Sequence, residues 1–238
     1  MRNGKNYQEK AKLVDREKLY SLAEAIALLK QTKRAKFDET VEVSIKLGSL
    51  KKGDTVRGTV QLPGGSGKSK KVAVITKPDK FDEAKSAGAD VVGGEDLVEQ
   101  IKGGFMDFDI LLATPDIMAV VGKLGKILGT KGLMPNPKSG TVTPEIGKTV
   151  KEFKAGKVEF KMDKAGVVNV PSGKISFDES KIKENITAIV GAVIKAKPPT
   201  AKGGGFIKGI ATSTTMGPGI KIDPYSFDSV HAASGGEQ

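Results

Sequence analysis

The chain has 238 residues, 38% of them hydrophobic, enough to bury a core and to divide into two domains. Its 39 Lys and Arg outnumber 28 Asp and Glu, and the net charge of +11 favours a polyanionic partner. No stretch approaches the ~20 apolar residues needed to span a bilayer, and the start, MRNGKNYQEKAKLVDREK, lacks a signal-peptide core, so a cytoplasmic protein with no membrane partner is expected.

Ser21 and Glu24 have capping-box spacing, and Leu22, Ile26 and Leu29 recur at helical intervals, predicting a helix that begins near Leu22. After KRAKFDET the period changes to two. Val41, Val43, Ile45 and Leu47 share one face and Val56, Gly58, Val60 and Leu62 repeat the rule, predicting two half-buried strands. PGGSGKSK, at 63–70, is too rich in Gly and Lys to continue a strand and is read as a domain junction. Beyond it VAVIT, DVVGG and DILLATP are apolar runs separated by helical stretches at 81–87, 96–102 and 116–128, the alternation of a parallel α/β sheet. GTKGLMPNPKSGTVTPEIG, 129–147, is predicted to be largely loop. From Lys157 the alternation returns in Val158, Phe160 and Met162, followed by a turn at DKAG and then VVNV, which predicts a hairpin. Ile182, Ile186, Ile189, Val190, Val193 and Ile194 form the stripe of a long helix stopped by Pro198 and Pro199, and FIKGIATSTT supplies a further strand.

Strands and helices of similar kind thus flank a central α/β block. The simplest arrangement is a split domain of residues 1–67 and 158–238 with an α/β domain, 68–157, inserted into it. The central block holds 15 basic and 12 acidic residues, net +3, which leaves +8 of the +11 on the flanks. Phosphate contact is therefore expected from the split domain.

The chemistry of catalysis is thinly represented. Without cysteine there is no thiolate nucleophile or thiolate metal site, and the single histidine, His231, stands near a Gly-containing end where acid/base work is not expected. No tryptophan is present and aromatics make up 5%, which disfavours a broad stacking platform for single strands. GSGKS, 65–69, lacks the phosphate loop's first glycine, because that position is Leu62, and KKVAVIT after it reads as a strand where a helix is required. GGGFIK, 203–208, has Lys208 in place of the third dinucleotide glycine. Asp107 and Asp109 could share a strand face and hold magnesium, but solvated acids explain them better. No catalytic residue, cofactor or metal is expected.

Two segments are better candidates. KRAKF sets Lys33, Arg34 and Lys36 beside Phe37, which suits phosphate contact with stacking, although Phe37 could equally cap the core and the cations form a solvated face. TSTTMGPG, 212–219, combines hydroxyls with glycines that admit close approach of a ligand, although a plain strand and Pro-Gly turn would use the same letters.

Taken together, AKFDETVEV, VRGTVQLP, GADVVGGEDL, MDFDILLATPDIM, GLMPNPKSGTVT and TTMGPGIKI resemble the bacterial branch of the large-subunit ribosomal protein L-one family, from about Leu19 to Asp223. The resemblance implies a split α+β domain of RNA-recognition-like fold and an inserted Rossmann-like three-layer α/β domain that binds no dinucleotide. It implies binding to large-subunit rRNA at the mobile lateral stalk, assistance to exit-site tRNA movement and release, repression of its own operon's mRNA, and a monomer when free. Carried onto this chain, the principal RNA contacts are Phe37, Thr40, Ser213, Thr215, Met216 and Gly217, with Lys36 and Glu42 beside them and Asp163 and Lys164 as lesser candidates. Asn169 stands where many relatives carry histidine, and Thr130 and Lys131 where they carry proline and arginine. The rival classes are an enzyme built on the central block and a DNA-binding architectural protein.

Overall fold

The computed structural model describes residues 4–48, 55–199 and 205–227. The first elements along the chain are α1 (Lys5–Ala11), α2 (Leu22–Thr32), β1 (Thr40–Leu47) and β2 (Arg57–Gln61). There follow β3 (Val72–Ile75), α3 (Phe81–Ser86), β4 (Val91–Gly93), α4 (Glu95–Lys102), β5 (Ile110–Ala113), α5 (Met118–Val121), α6 (Gly125–Lys131) and α7 (Ile146–Lys154). The chain ends with β6 (Lys157–Lys161), β7 (Val167–Lys174), α8 (Glu179–Lys195), β8 (Ile207–Thr214) and β9 (Ile220–Ile222). Residues of 1–67 and 158–238 form one compact unit and those of 68–157 a second.

In the first unit, α2 starts where the sequence places it. Ser21 Oγ accepts the Glu24 N–H at 3.4 Å, and Glu24 Oε2 accepts the Ser21 N–H at 3.0 Å. A four-stranded sheet runs in the order β7-β1-β8-β9, with every neighbouring pair antiparallel. Inward residues Val41, Val43, Ile45 and Leu47 pack under α2 and α8, to which α8 contributes the fully buried Ile182, Ile186, Ile189, Val190 and Val193. Each such side chain stabilises by about 1.5–3 kcal/mol. The other face has Glu42, Lys46, Asn169, Pro171 and Lys221 exposed, and no helix of this unit covers it among the described residues. Asn185, buried on α8, accepts the Gly64 N–H at 2.8 Å and donates to Gly65 O at 3.0 Å and Ser172 O at 2.7 Å, fastening the Pro63 turn to the bulge in β7.

The predicted hairpin after Lys157 forms at its turn but does not continue along the strands. β6 pairs with β2 in a separate two-stranded sheet while β7 pairs with β1, and the Met162–Val168 bridge and the 2.9 Å bond from the Asp163 N–H to Val167 O join the two beside the turn. The cause is packing: Phe160 lies so close over Gly58 that a Cβ there would stand 2.9 Å from its ring, which seats β6 against β2. Short loops license hairpins, but the burial of Val158 and Phe160 decides the partner.

The second unit has a three-stranded parallel sheet in the order β4-β3-β5. Both faces of β3 are covered: Ala73 and Ile75 join a core with α4, α5 and α6, and Val72 and Val74 join one with α3 and α7. The helix predicted over 116–128 is broken into 3₁₀ and α pieces, with Gly122 and Gly125 at the joints. The predicted loop at 129–147 is tied down as well, because Thr141 O accepts the Ala113 N–H at 3.0 Å and Ala113 O accepts the Thr143 N–H at 3.1 Å.

Candidate nucleic-acid interface

The motifs of the second unit are occupied by the protein's own groups. Lys68 pairs with Asp109 at 2.9 Å and Lys71 with Asp107 at 2.7 Å, so both aspartates of DFD already hold cations. Asp109 is held below the usual carboxylate range, first by Lys68 and then by the Lys71 N–H. Among the described residues no group of three or more metal-ligating side chains gathers. At the start of α4 the Gly94 N–H is bonded to Asp96 Oδ1 at 2.7 Å. His231 and the first two glycines of GGGFIK lie outside the described residues.

In the first unit, two segments 175 residues apart in sequence meet at the end of the sheet where β1 begins and β8 ends. Thr215 Oγ1 accepts the Thr40 N–H at 2.9 Å and donates to Thr40 O at 3.3 Å, and the Thr215 N–H reaches Thr40 O at 3.0 Å. Phe37 is 54% exposed and Met216 42%. Of the two readings of Phe37, the core cap is thereby excluded: the ring faces solvent. Phe37 and Met216 share a cavity of about 450 Å³ with Lys5, Asn6 and Arg34. Arg34 stands 5.8 Å from the centre of the Tyr7 ring, which helps seat α1 beside this cavity. Lys36 is exposed in the same loop.

Glu42 lies on the exposed face of β1, paired across the sheet with Ser213 of β8. Gly217 also answers a constraint within the turn itself. A Cβ there would collide with Thr214 Oγ1, so the glycine is required by packing inside the turn before any ligand arrives. Asn169 accepts a hydrogen bond from Ser44 Oγ at 2.7 Å, further along the same face. Asp163 and Lys164 are not brought to this end. They occupy the turn before β7, beside Lys46, roughly 20 Å along β1 from Thr40. Asp163 Oδ1 accepts the N–H groups of Ala165 at 2.9 Å and Val167 at 2.8 Å and thereby builds that turn.

Two residues at the meeting point went unread in the sequence. Lys174, at the end of β7, donates to Thr40 Oγ1 at 3.0 Å and to Asp38 O at 3.3 Å, adding a cation beside the predicted hydroxyls. Glu39 is fully buried. Its Oε1 accepts the N–H groups of Arg34 at 3.0 Å and Ala35 at 2.7 Å, and its Oε2 that of Met216 at 3.2 Å. Burial pushes the Glu39 carboxyl up, but the Thr214 hydroxyl dipole and the amides of Ala35, Arg34 and Met216 outweigh it and hold the pKa below its ordinary value. Thr214 Oγ1 has no partner at full hydrogen-bond geometry, so the amides carry the bonding. A signal for Glu39 exists: it is in phase with Val41, Val43 and Ile45, two residues before the first of them.

The arrangement has a chemical bias. Thr215 Oγ1 spends its proton and one lone pair on Thr40, which leaves it an acceptor for a donor such as a 2′-hydroxyl. Lys36, Lys174, Arg34 and Lys5 gather cations around the junction, and Phe37 presents an open ring face.

An α/β protein whose more basic unit gathers exposed cations, hydroxyls and one aromatic ring at a sheet end belongs to the class that holds a polyanion by its surface. The model of the Ribosomal protein L1p/L10e family matches residues 29–218. The chain belongs to that family of large-subunit ribosomal proteins, which bind rRNA and serve a structural, non-enzymatic part in translation.

Proposed function

We propose that the protein binds large-subunit rRNA at the mobile lateral stalk through the surface where residues 33–42 meet 212–217. The split unit, 1–67 with 158–238, is then the RNA-binding domain and 68–157 its inserted partner. The observation that carries the reading is the junction itself: Phe37 and Met216, remote in sequence, stand exposed on one cavity, and Thr40 and Thr215 tie their two segments together. Phe37, Thr40, Ser213, Thr215, Met216 and Gly217 are its principal residues, with Lys36 and Glu42 at its margin. Asp163 and Lys164 take no direct part. From the stalk the protein assists movement and release of exit-site tRNA, and it represses its own operon where the mRNA repeats the rRNA site. It acts without a cofactor and is a monomer when free.

A salt titration tests the reading. Affinity for a stalk rRNA fragment should fall with salt less steeply than affinity for an unrelated duplex RNA, because part of the specific free energy comes from fitted, uncharged contacts. Equal affinities and equal slopes for both RNAs would refute specific recognition, and equal binding of duplex DNA would favour the architectural alternative.

A further inference from the structure

We infer that Glu39 is a positioning residue for RNA recognition: its buried carboxylate clasps the loop of residues 33–38 to the turn at Met216 and so holds Phe37 and Met216 in one surface before RNA arrives. The inference rests on the function proposed above. Immediately before β1 stands a buried carboxylate whose oxygens are bonded to backbone N–H groups and, among the described residues, to no cation. Such a group is costly to bury unless hydrogen bonds replace its water. Here three backbone N–H groups do so, two from the first segment and one from the last.

The carboxylate cannot serve RNA directly, because it is sealed from solvent and its charge would repel phosphate. What it fixes is backbone. Arg34 and Ala35 precede Phe37 by two or three residues, and Met216 is held by its own N–H. The far side of the loop is pinned separately, since Asp38 accepts the Ser176 N–H at 3.2 Å and Ser176 Oγ at 2.7 Å. Among the described residues, Glu39 is the side chain that ties the loop to the Met216 turn, one oxygen to each. An ionised carboxylate is also the one side chain of this size with acceptors at both ends. In Glu39→Gln, one end becomes an NH₂ group and must face a backbone N–H, either that of Met216 or those of Arg34 and Ala35.

The test compares wild type, Glu39→Gln and Glu39→Asp by stopped-flow binding to a stalk rRNA fragment and by amide hydrogen exchange. If the clasp pre-forms the surface, Glu39→Gln lowers the competent fraction, so the association rate falls about tenfold or more while dissociation from the bound complex changes little. Met216 exchange speeds up in that variant with the melting transition retained, and Glu39→Asp restores part of the association rate. Unchanged association and unchanged Met216 exchange in a folded Glu39→Gln would overturn the inference. If Glu39→Gln does not fold, the wild-type Met216 amide decides: exchange slowed far below that of an open turn supports the clasp, and unprotected exchange overturns it. Wild-type protein that binds the fragment no better than an unrelated duplex overturns the functional reading itself, a result distinct from normal wild-type binding with an indifferent variant.

Discussion

Replacing Thr215 by Val removes a hydroxyl and keeps the side chain's shape, so its effects can be worked from the bonds it makes. Within the protein, the Thr40 N–H loses its 2.9 Å acceptor and Thr40 O loses the 3.3 Å bond, the weaker of the two, which orients the Thr215 proton. The backbone bond from Thr215 N–H to Thr40 O at 3.0 Å remains, and Thr40 is only half-buried, so water can reach the freed amide. The loss of stability should be about 1 kcal/mol, read by urea unfolding. RNA binding should lose a further 1–3 kcal/mol, roughly 5-fold to 150-fold in Kd, if Thr215 accepts from a 2′-hydroxyl. A double-mutant cycle separates the terms: Thr215→Val is combined with single 2′-deoxy substitutions along the stalk fragment. One deoxy position should weaken binding to wild type and cost nothing further in the variant. Strict additivity at every position, or no loss on Thr215→Val, would refute the assigned acceptor role.

Three further outcomes are expected. Asn185→Leu leaves the Gly64 N–H and the Gly65 and Ser172 carbonyls without their partner inside the core, and should cost about 3 kcal/mol in urea unfolding with wild-type RNA affinity in the folded fraction. Lys174→Met should weaken RNA binding and reduce the steepness of its salt dependence by roughly one phosphate's worth, whereas Lys164→Met, at the other end of β1, should leave both within twofold of wild type. Because the folded Glu39 pKa is depressed below its ordinary value, about 4.3, the stability it contributes is fully present above that value and is lost as pH falls through the depressed one. Unfolding free energy should therefore drop on acidification from about pH 5 to pH 3 with a shallower slope in Glu39→Gln, and equal slopes would remove Glu39 from the linkage.

Legibility from sequence followed the range of the interaction. The Ser21–Glu24 capping box and the α8 stripe are local patterns whose outcome is set within four residues, and both stand where their spacing puts them. The strand partners of β6 and β7 are not local, so proximity in sequence suggested a hairpin where burial of Phe160 against Gly58 sends β6 to β2. The helix over 116–128 followed its apolar period but passed over Gly122 and Gly125, where the helical pieces change. At the candidate interface the exposed residues were named from a resemblance, while Glu39, which holds them, was hidden by charge: a Glu in the inward phase is readily taken for the last loop residue. Only the amides of Arg34, Ala35 and Met216, converging from two segments, show why it is inside.

The central claim is that two segments far apart in sequence form one RNA-binding surface. Photocrosslinking amino acids placed singly at 37, 216 and 164 in the full chain, bound to large-subunit rRNA, test it most directly. The account predicts that positions 37 and 216 crosslink to the same short stretch of stalk nucleotides and that position 164 does not. Crosslinks from 37 and 216 to separate rRNA helices, or from 164 to the stretch reached by 37, would contradict it.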